Sequence, residues 1–170
     1  ININDDNEAA FRYSCENGNL AAAKFLIELS QKVGYSLINI HAQQEYAFIN
    51  SCKNGHLEIA KWLIELSKTD RFSLIDIHAQ DECAFCFSCI YGNLHIARWL
   101  IELSQSNGFS PINIHIDNNF AFRLCLESEN LNFIKWLIKL SESDEVFKPI
   151  NNLNNVSNIE IKVISKSKFQ

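Results

Sequence analysis

Residues 54–65, Asn54-Gly55-His56-Leu57-Glu58-Ile59-Ala60-Lys61-Trp62-Leu63-Ile64-Glu65, decide how this 170-residue chain folds. Gly55 is the residue a left-handed helix terminus requires, so it closes one helix, and His56 stands where the next would be capped. From Leu57 to Ser67 the residues Leu57, Ile59, Ala60, Trp62, Leu63, Ile64 and Leu66 cover most of a helix's circumference, leaving Glu58, Lys61 and Glu65 on a narrow polar strip. A helix that apolar must be covered on several sides, as the middle layer of a stack is. Just upstream, Ala47, Phe48, Ser51 and Cys52 form the stripe of a shorter helix, expected over 45–54.

The same pattern returns every 37 residues. Ile3, Ile40, Ile77 and Ile114 open the units, Ala10-Phe11, Ala47-Phe48, Ala84-Phe85 and Ala121-Phe122 align, and so do Leu20, Leu57, Leu94 and Leu131. Phe25-Leu26-Ile27 recurs as Trp62-Leu63-Ile64, Trp99-Leu100-Ile101 and Trp136-Leu137-Ile138, each followed by Leu-Ser. A fixed period in this range marks a solenoid, whose units bury their apolar faces only by stacking on one another. Four units result, 3–39, 40–76, 77–113 and 114–150, making an array over 1–150 with 151–170 as a tail, folded back or frayed. The connecting stretches carry an aromatic (Tyr35, Phe72, Phe109) expected to pin the loop onto the second helix. An Ile-Asn/Asp-Ile segment follows, whose β-branched residues suit a hairpin-like projection.

Composition narrows the function classes. The chain is 47% apolar, enough for a core, and lacks the long apolar run of a membrane span. Ile1-Asn2-Ile3-Asn4 has neither the basic region nor the apolar core of a signal peptide. There is no Met, so the natural start is expected upstream, with the array continuing beyond Ile1. A net charge of −5, with basic residues scattered singly, argues against nucleic acid as partner.

The Gly55-His56-Leu57-Glu58 run, echoed by Asn17-Gly18-Asn19-Leu20 and Gly92-Asn93-Leu94, resembles the second half of an ankyrin repeat. The first half departs from that family's pattern: Tyr46-Ala47-Phe48-Ile49 stands for Thr-Pro-Leu-His, and the unit is longer than the usual roughly 33 residues. The long Asn/Ile-rich form is similar to ankyrin arrays of large DNA viruses that infect amoebae. The resemblance implies an all-α solenoid of four helix-turn-helix repeats with extended inter-repeat loops. It further implies a non-catalytic module, free of cofactors, that holds a protein partner on a concave surface made by the inter-repeat tips and first helices. In the fourth unit Glu129 takes the Gly position, as in a terminal, capping repeat.

Two clusters invite chemistry and are better explained without it. Cys83, Cys86 and Cys89 form C-x-x-C-x-x-C, yet Cys89 shares a column with Cys15 and Cys52, where a first helix buries a small residue, while the other two occupy variable columns. A ligand set is not assembled from one core column and two variable ones, so free thiols in a reducing, intracellular compartment are expected. His41, His78 and His115 share a column completed by Asn4, and an imidazole or amide bonded to loop backbone accounts for them. No nucleophile, base and orienting acid can be assembled from the sequence, so no enzyme is expected.

The variable columns remain. Gln43, Gln44, Gln80, Asp81 and Asn118 lie at the tips, and Glu16, Asn17, Lys53, Asn54, Ile90 and Tyr91 at the first-helix ends. Ile90 and Tyr91 are an apolar pair where the other units are polar, the composition of a binding hot spot. A structural component of a viral particle or fibre is the competing reading, and an RNA-binding helical repeat a weaker one, opposed by the acidic balance.

Overall fold

The structure, a computed structural model, describes residues 4–32, 34–106, 108–114, 116–127 and 130–143, without the side chains of 117–119 and 141–143. The readings placed on His115, Glu129 and the tail 151–170 lie outside these residues. Among the described residues there are eight helices and no strand: α1 (Asp5–Glu16), α2 (Leu20–Ser30), α3 (Ala42–Lys53), α4 (Leu57–Ser67), α5 (Ala79–Ile90), α6 (Leu94–Ser104), α7 (Ile116–Glu127) and α8 (Leu131–Ser143). They pair as helix-turn-helix units. The chain divides into two compact parts, Ile1–Ala121 and Phe122–Gln170, with the division inside α7.

In the first part α1, α3 and α5 pack side by side, each against the second helix of its own unit. Gly55 makes the turn at φ +85°, with Gly55 N–H donating to the Cys52 carbonyl at 3.3 Å and His56 N–H to that of Ser51 at 2.9 Å. This pair of bonds satisfies two carbonyls the helix end would otherwise strand. A side chain at Gly55 would also collide with the next unit, because a Cβ there would lie 2.9 Å from Asn93 Oδ1. Asn93 Nδ2 in turn donates to the Cys52 and Lys53 carbonyls at 3.2 and 2.7 Å, so the cap of one unit is bonded to the helix end before it.

The core is a column of phenylalanines: Phe11, Phe48 and Phe85 are fully buried, among Cys15, Cys52 and Cys89 and the second-helix residues Ile59, Leu63, Ile96 and Leu100. Trp62 lies on Phe11 with ring centroids 6.3 Å apart, and Trp99 on Phe48 at 6.4 Å, both at 58°. The second and third units thus each cover the phenylalanine of the unit before them. The tryptophans themselves are half-buried rather than central. Tyr35 does not pin its loop either, being exposed, whereas Phe72 and Phe109 are half-buried.

The inter-unit segments are extended and alternate as read, with Ile38 and Ile40, Ile75 and Ile77, and Ile112 and Ile114 buried. The hairpin expectation fails. Residues 42–45 and their counterparts do not project as a tip but open the first helix, three residues earlier than the stripe at 45–54 suggests. They do so in the wrong hand: Gln43, Gln44 and Glu45 have φ of 54°, 54° and 66°, and Asp6–Glu8 and Gln80–Glu82 match them. Left-handed backbone costs a non-glycine residue roughly 1–2 kcal/mol, so something must hold each turn.

Candidate functional site

The holding group is a buried glutamate at the end of each left-handed turn. Glu82 is 4% exposed; His78 Nδ1 lies 2.9 Å from its Oε1 and 3.1 Å from its Oε2, and Asn113 N–H, 31 residues on, donates to Oε1 at 2.9 Å. Glu45 repeats this with His41 Nδ1 at 2.7 Å and Asp76 N–H at 3.2 Å, and Glu8 with Asn4 Nδ2 at 2.9 Å and Asn39 N–H at 3.1 Å. Each carboxylate therefore straps its turn to the loop that leads into the next unit. The histidine column bonds side chains, not loop backbone as expected; the backbone bonds belong to the glutamates.

The far ring nitrogens find serines. His41 Nε2 is 3.0 Å from Ser73 Oγ, and His78 Nε2 is 2.9 Å from Ser110 Oγ, beside a surface depression of about 250 Å³. A serine, a histidine and an orienting acid do line up, contrary to the sequence reading, and such an order can activate a hydroxyl. The shared task of the column points elsewhere. In the first unit Asn4 stands for the histidine and still bonds Glu8, and an amide is no base; what all three units keep is the link from turn to loop.

The first-helix face carries the predicted binding residues. Tyr91, 56% exposed, ends α5 and meets Phe87 edge-on at 6.3 Å; Lys53 Nζ sits 5.2 Å from the Tyr91 ring centre and 5.7 Å from that of Phe87. Ile90 beside them is half-buried. One unit back, Tyr13, 50% exposed, meets Tyr46 edge-on at 6.5 Å, and the Arg12 guanidinium lies 4.8 Å from the Tyr46 ring centre. Arg12 is buried and locked, donating to the carbonyls of Asn7 and Asp6 and to Gln43 Oε1. Tyr46 donates to Glu16 at 2.8 Å; burial, then that bond, raises its phenol above the ordinary value. Asn54 Nδ2 donates to the Glu16 carbonyl at 2.9 Å, and Gln80 Nε2 to that of Gln44. Asn17, Gln43, Gln44, Asn54, Gln80 and Asp81 are exposed, while Asn118 lies in α7 with its side chain outside the described residues. Sequence reasoning undervalued Arg12, Tyr13, Tyr46 and Phe87; for the last three, aromatic character at the first-helix positions was the available signal.

None of the six cysteines is in a disulfide; Cys15, Cys52, Cys86, Cys89 and Cys125 are buried and Cys83 half-buried. Burial pushes the Cys15 thiol up to about 12 and raises Cys52; burial, then the Asp81 carboxylate, raises Cys83. Because the thiolate is the reactive form, iodoacetamide at about pH 8 should label Cys83 first and reach Cys15 and Cys52 only on unfolding. Peptide mapping that found Cys52 labelled ahead of Cys83 in the folded protein would contradict this packing.

The family model described as Ankyrin repeats (3 copies) matches residues 48–148. No curated protein and no solved structure matches the chain. With paired helices, a glycine turn in each of the first three units and more than half the sequence matched, the chain belongs to the ankyrin repeat family.

Proposed function

We propose that the chain is a non-catalytic interaction module that holds a protein partner on the face formed by the first helices α1, α3 and α5. Ankyrin repeats are in general protein–protein interaction modules, and the single observation that supports this face is exposed Tyr91 clustered with half-buried Lys53 and Phe87. Aromatic anchors inside a polar rim are where binding energy concentrates, and here Gln43, Gln44, Gln80, Asp81, Asn54, Asn17 and Glu16 supply the rim. The reading takes 1–150 as one array of four units in a reducing intracellular compartment, and a giant-virus protein meeting a host partner as its setting. Six cysteines outside any disulfide, five of them buried, support the compartment.

Affinity capture compares the native chain with Ile90→Ala/Tyr91→Ala. The double variant is expected to weaken the partner by about 30-fold, equivalent to about 2 kcal/mol, with helical content and melting unchanged. A partner indifferent to that change but lost on altering Lys61 and Arg98 would move the interface to the second-helix groove of about 590 Å³ between α4 and α6, which those residues line with His95 and Trp99.

A further inference from the structure

The groove between the second helices of the two inner units carries positive charge that the chain does not neutralise. The first helices α3 and α5 pack side by side, whereas α4 and α6 stand wider apart, and the gap between them is the open groove of about 590 Å³. Half-buried Leu57, Leu94 and Trp99 give it an apolar lining, and exposed Lys61 and Arg98 line it from one helix each. Both cations stand four residues before a glutamate, Glu65 or Glu102, yet neither is paired with it. Glu65 turns instead to Lys68, at 2.7 Å, and among the described residues Lys61 and Arg98 have no ion pair and no side-chain hydrogen bond. His95, also on the groove, takes the column that Glu58 holds in the unit before, so an acid is lost just here. In a chain of net charge −5, Glu102 is then the single carboxylate among the lining residues.

We propose that this groove binds an acidic peptide segment of another protein, laid across α4 and α6 with its carboxylates on Lys61 and Arg98 and an apolar side chain between them on Leu57, Leu94 and Trp99. Lys61 and Arg98 occupy one column of the repeat and rise from helices on the order of 10 Å apart. In a polyproline-II segment, residues three apart share an edge and lie about 9 Å apart, so acids at that spacing meet successive units. A continuous phosphate backbone fits less well. Glu28, Glu65 and Glu102 follow each cation of the column Lys24, Lys61 and Arg98 by one helical turn, so a long polyanion meets an acid for every base, while a short peptide can match the bases alone. Two solvent-edged pairs and one apolar contact make the binding weak, with Kd on the order of 10⁻⁴ M. The site is separate from the α1–α3–α5 face and stands whether or not that face holds a partner.

Fluorescence anisotropy tests this with a labelled synthetic peptide that carries a leucine between two glutamates three residues apart in a proline–serine background. The native chain, titrated to about 1 mM, is expected to bind it, and raising salt from about 50 mM to about 500 mM should weaken binding about fivefold. The same peptide with glutamines for glutamates should bind about tenfold more weakly or worse, and one with the glutamates adjacent about threefold more weakly. Lys61→Glu/Arg98→Glu should lose about tenfold or more with an unchanged circular dichroism spectrum. Should that variant fail to fold, the glutamine peptide against the native chain carries the test. In ¹H–¹⁵N spectra the Trp99 indole peak, assigned with Trp99→Phe, should move as peptide is added. Ile90→Ala/Tyr91→Ala should bind the peptide like the native chain, which separates this groove from the first-helix face. Any of the following overturns the proposal: no binding at about 1 mM, equal binding of the glutamine peptide, an affinity unmoved by the charge reversal, loss of the peptide in Ile90→Ala/Tyr91→Ala, or an oligothymidylate or phosphatidylserine vesicle held as tightly as the peptide.

Discussion

Replacing Phe48 with alanine is expected to lower the free energy of unfolding by about 3–5 kcal/mol, the cost of emptying a fully packed aromatic site. Phe48 is 1% exposed and lies under Trp99, so no flexible surface can fall in to fill the space. Trp99→Ala removes a larger side chain from a half-buried position and should cost less, about 2 kcal/mol, because water already meets part of the ring. The order of the two is the test. Urea titrations in which Trp99→Ala proves the more damaging would mean that the phenylalanine column is not the centre of the stack. Since stability in such arrays is carried by units and their interfaces, the Phe48 variant should also split a single transition into two.

Glu82→Ala is the second large effect. It removes the carboxylate that bonds His78 Nδ1 and Asn113 N–H and leaves the left-handed turn of Gln80 and Asp81 without its strap to the next loop. Removing a buried acceptor so that its donors are left unsatisfied costs roughly 1–3 kcal/mol. Glu82→Gln retains an oxygen for Asn113 N–H and should lose about half as much. Hydrogen exchange supplies the local readout: the Asn113 amide should lose protection in Glu82→Ala and keep most of it in Glu82→Gln. Equal exchange of that amide in all three proteins would show that the carboxylate is not what secures the loop. Glu28→Ala, on the exposed side of α2, serves as control and should fall within about 0.5 kcal/mol of the native chain.

The second helix of the second unit was legible to the residue. Leu57–Ser67 is bounded by a glycine turn before it and a Leu-Ser pair after it, and both are local signals that need no knowledge of the stack. The first helices were not, because their opening turn depends on a carboxylate meeting an amide 31 residues away. A trace was present: Glu8, Glu45 and Glu82 share one column, an acid kept in the first three units inside a stretch otherwise read as variable tip. The relative depth of Phe48 and Trp99 was hidden for a similar reason, since size argues for the tryptophan and only the stacking of one unit on the next puts the smaller ring inside. At the partner face Tyr91 stood out as an apolar residue in a polar column. Lys53 over its ring could not be read, because the two lie in different units and meet only once the helices are side by side.

The left-handed turns restrict what the openings of the first helices can say to a partner. Gln43, Gln44, Gln80 and Asp81 are among the most accessible positions of the face, and every one sits at positive φ, where a side chain branched at Cβ collides with its own backbone. The alphabet open to these positions is short: glycine, asparagine, aspartate and unbranched polar chains, which recognise by hydrogen bonds and not by apolar bulk. Valine, isoleucine and threonine are barred by the main chain before any partner is consulted. New specificity in this array therefore has to be written on the helix ends, at positions 16, 53, 90 and 91, while the left-handed openings keep a polar dialect.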